Sequence, residues 1–151
     1  MNNNNFDVVK GVLAEKGELV GTTSGKSMYP LFRNGKDRAV IVPLPQKLKV
    51  NDVLLYRKPA TNEVILHRII KFKDSNPILR GDNLYFNETQ IPTDDILGVM
   101  KGFYRNGKYY ECKKSLSYKL YVFLLRISYP IRYLFKKAFS LLKRIINFIK
   151  N

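Results

Sequence analysis

Between residues 18 and 112 the sequence changes character every few residues, and that rhythm limits the folds open to it more than any other feature. Short runs rich in β-branched, aliphatic and aromatic side chains occupy 19–23, 38–42, 52–57, 63–72, 78–79 and 96–104. Turn chemistry separates them: Asn34-Gly35, Pro43 to Pro45, Pro59 to Asn62, Asp74 to Pro77, Gly81 to Asn83 and Asn106-Gly107. Glycine and asparagine reach the left-handed region at low cost, and proline cannot donate to a ladder, so each cluster marks a chain reversal. No helical pattern alternates with the strands, which argues against a doubly wound α/β sheet. The expected fold class is mainly β, a rolled or barrel-like antiparallel domain over residues 6–112.

Helical periodicity is confined to the two ends. Phe6, Val9 and Leu13, with Val12 beside them, recur at the spacing of one helical face, and Gly17 supplies a stop, predicting a short leading helix over 6–16. Residues 117–150 read as one or two helices, with Pro130 kinking or separating them because it has no amide hydrogen to donate. Downstream of Pro130, steps of about 100° place Arg132, Lys136, Lys137, Lys143, Arg144 and Lys150 on one side. Ile131, Leu134, Phe135, Ala138, Leu141, Leu142, Ile145, Phe148 and Ile149 fall on the other. Residues 115–151 are therefore expected to form a basic amphipathic helical tail.

At 151 residues the chain suffices for one domain of modest core. Its 27 Lys and Arg against 12 Asp and Glu give a formal charge of +15, and the tail from Ser115 onward holds eight of the basic residues and no acid. Such a surface seeks anionic partners, either nucleic acid or anionic lipid. A continuous aliphatic face is not needed for binding phosphates, so the expected partner of 117–150 is an anionic membrane surface, and nucleic acid is not expected. The competing arrangement packs the apolar stripe on the β domain or on a partner helix and leaves the basic face solvated.

The longest strongly apolar run, 120–125, has six members and ends at Arg126, far short of the roughly 18 needed to span a bilayer. Met1 to Asn5 is polar and asparagine-rich, so no secretory leader is expected, and the predicted location is peripheral, on the cytoplasmic face of a membrane. The lone Cys112 permits no internal disulfide and cannot by itself make a metal site; neither a metal nor a cofactor is expected.

Two residues stand out chemically. Ser27, in Gly25-Lys26-Ser27-Met28-Tyr29-Pro30, follows a predicted strand and sits between a glycine and a proline that favour a tight turn. A turn of that kind can present a hydroxyl outward and leave backbone N–H groups free for an oxyanion. A serine hydroxyl needs a base, and His67 is the only histidine in the chain. Spacing and composition do not pair them.

Four segments together do. Gly25-Lys26-Ser27-Met28-Tyr29-Pro30 with Asn34-Gly35, then Val50-Asn51-Asp52-Val53, Ile65-Leu66-His67-Arg68-Ile69-Ile70 and Leu79-Arg80-Gly81-Asp82-Asn83, resemble in order the conserved boxes of type I signal peptidases. The resemblance covers about residues 19–101. It implies a serine endopeptidase acting on a precursor peptide, with Ser27 as nucleophile and His67 as base, as in the histidine-using branch of that superfamily. It also implies a carboxylate that orients His67: Asp82, at the box aspartate, is the first candidate and Glu88 the competing one, with Asp94 and Asp95 read as surface or helix-start charges. The oxyanion would be held by the Ser27 amide, since Gly25 stands where the family often has a hydroxyl, unless Ser24 swings in. Met28, Tyr29 and Pro30 are candidates for the substrate cleft, although Met28 and Tyr29 suit ordinary packing and Pro30 suits a turn. No spanning anchor is expected before the nucleophile box, unlike the membrane members of the family. Two further readings remain open: a regulator similar to the self-cleaving repressors, and a non-catalytic lipid-binding or scaffolding protein with a degenerate peptidase domain.

Overall fold

A computed structural model describes the backbone of residues 4–149 and the side chains of 6–135 and 137–139. The chain divides into two compact units, residues 1–115 and 116–151. The first opens with helix α1 (Asn4–Lys16), in which Phe6 and Leu13 are buried and Val9 and Val12 half-buried, the face read from the sequence. Gly17, at φ 67°, closes α1 by donating its amide to the Leu13 carbonyl at 3.1 Å.

Seven strands follow: β1 (Leu19–Thr22), β2 (Arg38–Val42), β3 (Val53–Arg57), β4 (Val64–Lys73), β5 (Asn76–Arg80), β6 (Ile96–Arg105) and β7 (Lys108–Glu111). All pair antiparallel in one sheet of order β1-β2-β6-β3-β4-β5, with β7 added on β6. The barrel-like closure expected from the sequence is not what the hydrogen bonding shows. The sheet is open, ending in β1 on one side and β5 on the other.

Two strand readings fell short for local reasons. Pro77 made the start of β5 look like loop, yet a proline is tolerated on a terminal strand, where no neighbour needs its missing N–H. The reversal is confined to Asp74 and Ser75, both at positive φ. Strand β7 went unread because its four residues begin with a lysine and end with a glutamate; Asn106 and Gly107, both at positive φ, form the two-residue hairpin loop that returns it to β6.

The core of the sheet is a cluster of Leu54, Tyr56, Ile69, Leu79, Ile91 and Val99. Full burial of an aliphatic side chain such as Leu54 contributes about 1.5–3 kcal/mol. Because the cluster spans β3, β4, β5 and β6, it locks their registers, and with them the face on which each polar residue of these strands lies.

The second unit is helix α2 (Leu116–Ile149), one element with Pro130 inside it. The side chains of Lys136, Leu141, Leu142, Lys143, Arg144, Ile145, Phe148 and Ile149, and all of Lys150, which the sequence reading assigned to the two faces, lie outside the described residues.

Candidate active site

Ser27 lies in the turn that follows β1, and three sets of contacts hold that turn. Gly25, at φ 84°, donates its amide to Asn34 Oδ1 at 2.8 Å, while the Gly35 amide bonds the Thr23 carbonyl at 2.8 Å. Thus the Asn34-Gly35 pair closes the loop that carries the serine. On its far side, Arg105 of β6 donates to the carbonyls of Leu31 at 2.6 Å and Pro30 at 3.0 Å. Finally, the Asn83 amide donates to the Ser27 carbonyl at 2.8 Å and the Asn83 side chain to the Lys26 carbonyl at 3.2 Å. Ser27 is half-buried, and its own amide and hydroxyl are engaged by no other described residue.

His67 lies in β4, 2% exposed, opposite Leu54 of β3. In the same ladder Tyr56 opposes Ile65, so Tyr56 and His67 are diagonal neighbours on one face of the sheet, within reach of an aromatic side chain. The Tyr56 hydroxyl lies 2.9 Å from His67 Nδ1 and also donates to Glu88 Oε2. Glu88 is brought there by a single bridge, its amide and carbonyl exchanging bonds of 2.7 and 2.9 Å with Leu79 of β5. Leu79 in turn opposes Ile69, two residues along β4 from His67 and therefore on the same face. Lys58, the residue after β3, donates to the other Glu88 oxygen at 2.5 Å.

Asp82 is placed differently. Arg68 follows His67 directly in the strand and so points to the opposite face. It grips Asp82 with two bonds, Nε to Oδ1 at 2.8 Å and a terminal nitrogen to Oδ2 at 2.6 Å. Of the two candidate orienting acids, Glu88 is therefore the one linked to the imidazole, 3.4 Å from Nδ1 and bridged by the phenol. Asp82 is the buried partner of Arg68; of the two acids in the short 3-10 turn before β6, Asp94 is exposed as expected, whereas Asp95 is not a surface charge but is buried and pairs with Arg57 at 2.5 Å.

Proton accounting fixes the order of the Tyr56 network. An ionised Glu88, held by Lys58, can only accept, so the single phenolic proton goes to Glu88, and Nδ1 must carry a proton and donate it to the phenol oxygen. That tautomer leaves Nε2 with its lone pair free. Burial, and then the nearby Lys58 charge, push the His67 pKa down to about 4, against a smaller upward pull from Asp82. The ring is thus neutral at pH 7. Burial also raises the Glu88 carboxyl above its ordinary value.

Ser27 and His67 line one cleft of about 410 Å³, together with Lys58 and Leu84. Ser27, Ser24 and Gly25 also line a smaller adjoining cavity of about 160 Å³, whose walls include Leu19, Met28, Phe32, Ala39 and Leu66. Met28 is buried and forms part of this wall. Tyr29 is 54% exposed and Pro30 is exposed, and neither lines the two cavities.

Four contributors escaped the sequence reading: Tyr56, Lys58, Arg68 and Arg105. Tyr56 carried a usable signal, since a ladder that pairs Leu54 with His67 leaves it diagonal to the histidine. Arg105 carried none, because its contacts cross 74 and 75 positions of sequence. Among the described residues no cluster of His, Cys, Asp and Glu is arranged to hold a metal ion. Compared with protein-family models and with curated proteins, the sequence matches none at a significant level.

Proposed function

We propose that this chain is a signal-peptidase-like serine endopeptidase, using Ser27 as nucleophile and His67 as general base, that removes leader segments from precursor peptides at or near a membrane. The observation that carries the reading is that Ser27 and His67 line the same cleft, with His67 Nδ1 2.9 Å from the Tyr56 hydroxyl. A buried histidine whose Nδ1 is tied through a phenol to a carboxylate has its other nitrogen available for a hydroxyl proton.

In the reaction, Ser27 Oγ attacks the scissile carbonyl carbon while its proton passes to His67 Nε2. The carbonyl π electrons move to oxygen, and the Ser27 amide donates to the developing charge. Collapse of that adduct breaks the C–N bond, and His67 returns the proton to the departing amine. A water molecule, deprotonated by His67, then attacks the acyl carbon and releases the new carboxylate and the Ser27 hydroxyl. The charge gained by His67 at each attack is stabilised through Tyr56 by Glu88, whose negative charge Lys58 tempers.

The strand edges support a peptide substrate. Strand β1 pairs only with β2, and β5 covers β4 only from Arg68 onward, so the backbone of β1 and of residues 64–67 is open to a further strand. In a flat sheet β1 and β4 would stand about 19 Å apart, at about 4.8 Å per step, yet residues of both line the 160 Å³ cavity. That proximity supports a rolled sheet of the signal-peptidase kind, and a cavity of only about 160 Å³ beside Ser27 favours small side chains near the cut.

The test compares the parent with Ser27→Ala and His67→Ala. The parent is expected to take up a fluorophosphonate probe at Ser27 and to cut members of a peptide library read by mass spectrometry. Each variant should lose about 10⁴-fold or more in rate. Equal cleavage by all three proteins, or an unlabelled Ser27 in a folded parent, would refute the assignment.

A further inference from the structure

Helix α2 carries an exposed apolar stripe that neither the cleft nor the proposed reaction uses. Leu116, Leu120, Phe123, Ile127, Ile131 and Leu134 recur at spacings of three and four residues, which at about 100° per residue confines them to an arc of about 80°. All six are solvent-exposed, from 52% for Ile127 to 79% for Leu116. An exposed apolar stripe of this length marks an interaction site.

Along one border of the stripe, about 90° from its centre line, stand the exposed Lys119, Arg126 and Lys137. Residues 116–149 include no Asp or Glu. No helix of the described residues is long and apolar enough to cross a membrane. We infer that α2 docks lengthwise on an anionic lipid surface, its Leu, Ile and Phe stripe entering the acyl boundary and Lys119, Arg126 and Lys137 lying among the headgroup phosphates.

Charge decides between occupants. A second copy of the helix laid on the stripe would bring basic borders of the same sign together with no acid to offset them. Nucleic acid would match the charge but leave the stripe in water, whereas anionic lipid satisfies both features at once. The inference does not depend on the peptidase reading, because no residue of the cleft takes part.

The experiment uses the full chain with vesicles of phosphatidylcholine alone and of phosphatidylcholine mixed with phosphatidylglycerol. Sedimentation should carry the protein down with the mixed vesicles and much less with the neutral ones, and the difference should shrink as salt is raised. Replacing Lys119, Arg126 and Lys137 with serine should weaken binding to the mixed vesicles roughly a hundredfold and leave the neutral ones unaffected. The chain has no tryptophan, so an Ile127→Trp variant reports directly, with emission expected to shift to the blue only when anionic vesicles are added. Ser27→Ala should bind as the parent does, which separates this result from the fate of the proposed activity. Equal partition onto both vesicle types, an unshifted Ile127→Trp spectrum, or a lipid-free dimer abolished by Leu120→Ser with Leu134→Ser would overturn the inference.

Discussion

Neighbouring residues on a strand face opposite ways, and that parity divides the polar groups around β4 into two sets with different duties. His67, Tyr56 and Glu88 share one face and form a hydrogen-bonded chain with Lys58 at its end. Arg68 and Asp82 form a separate, almost fully enclosed ion pair. Removing one partner of such a pair leaves a buried charge uncompensated. Asp82→Ala is therefore expected to destabilise the fold by about 3–5 kcal/mol, seen as a lower urea midpoint. Tyr56→Phe keeps the ring in the core but cuts the link from Nδ1 to Glu88. It should lower kcat of the proposed reaction about 10²-fold with KM little changed, at a stability cost of about 1–3 kcal/mol. If Tyr56→Phe left the rate intact, the orienting role of the phenol would be lost. At this scale the histidine and the serine were legible from their chemistry and from a family resemblance, while the choice between Asp82 and Glu88 depended on strand parity and on the bridge that seats Glu88 beside Leu79.

Among the elements, the nucleophile turn depends most on a neighbour remote in sequence. The loop after β5 presses its backbone against the turn: a Cβ at Gly81 would stand 2.6 Å from the Ser27 carbonyl oxygen and 3.0 Å from the Leu84 side chain. Since the first of these is backbone, the turn itself would have to move. Gly81→Ala is accordingly predicted to slow phosphonylation of Ser27 by a fluorophosphonate about 10²-fold, with an unchanged far-ultraviolet circular dichroism spectrum. Gly11→Ala is the control. It lies within α1 with nothing near its Cβ position, and should stabilise the protein by about 1 kcal/mol through helix propensity, without touching the labelling rate. Equal labelling of both variants would show that the close approach at Gly81 is immaterial. Most elements could be read from local pattern because their turns use Gly, Asn, Asp and Pro. The hairpin strand β7 could not, since its place is set by pairing with β6 rather than by its own composition.

For the molecule as a whole, the buried histidine couples stability to pH. In the unfolded chain its pKa is about 6.5, and in the fold it is about 4. Between those values the unfolded state holds the extra proton, so stability is fully present above about pH 6.5 and falls as pH drops toward 4. The drop attributable to His67 is about 3 kcal/mol. Glu88, with its pKa raised by burial, works with the opposite sign and returns part of that loss in acid. Comparison of urea unfolding for the parent and His67→Gln isolates the histidine: the acid-induced loss should be smaller in the variant by about that amount. Parallel pH profiles would show that His67 titrates normally in the fold. The sequence by itself determined a mainly β body with a helix at each end, the candidacy of Ser27 and His67 and the basic amphipathic pattern of the tail, because periodicity, turn chemistry and charge are local properties of the chain. Only the tertiary structure decided that the sheet stays open and that Glu88 and Tyr56 rather than Asp82 attend His67. Both depend on which distant strands pair and in what register, and a register shift of one residue in β4 would have turned His67 to the other face, away from Tyr56.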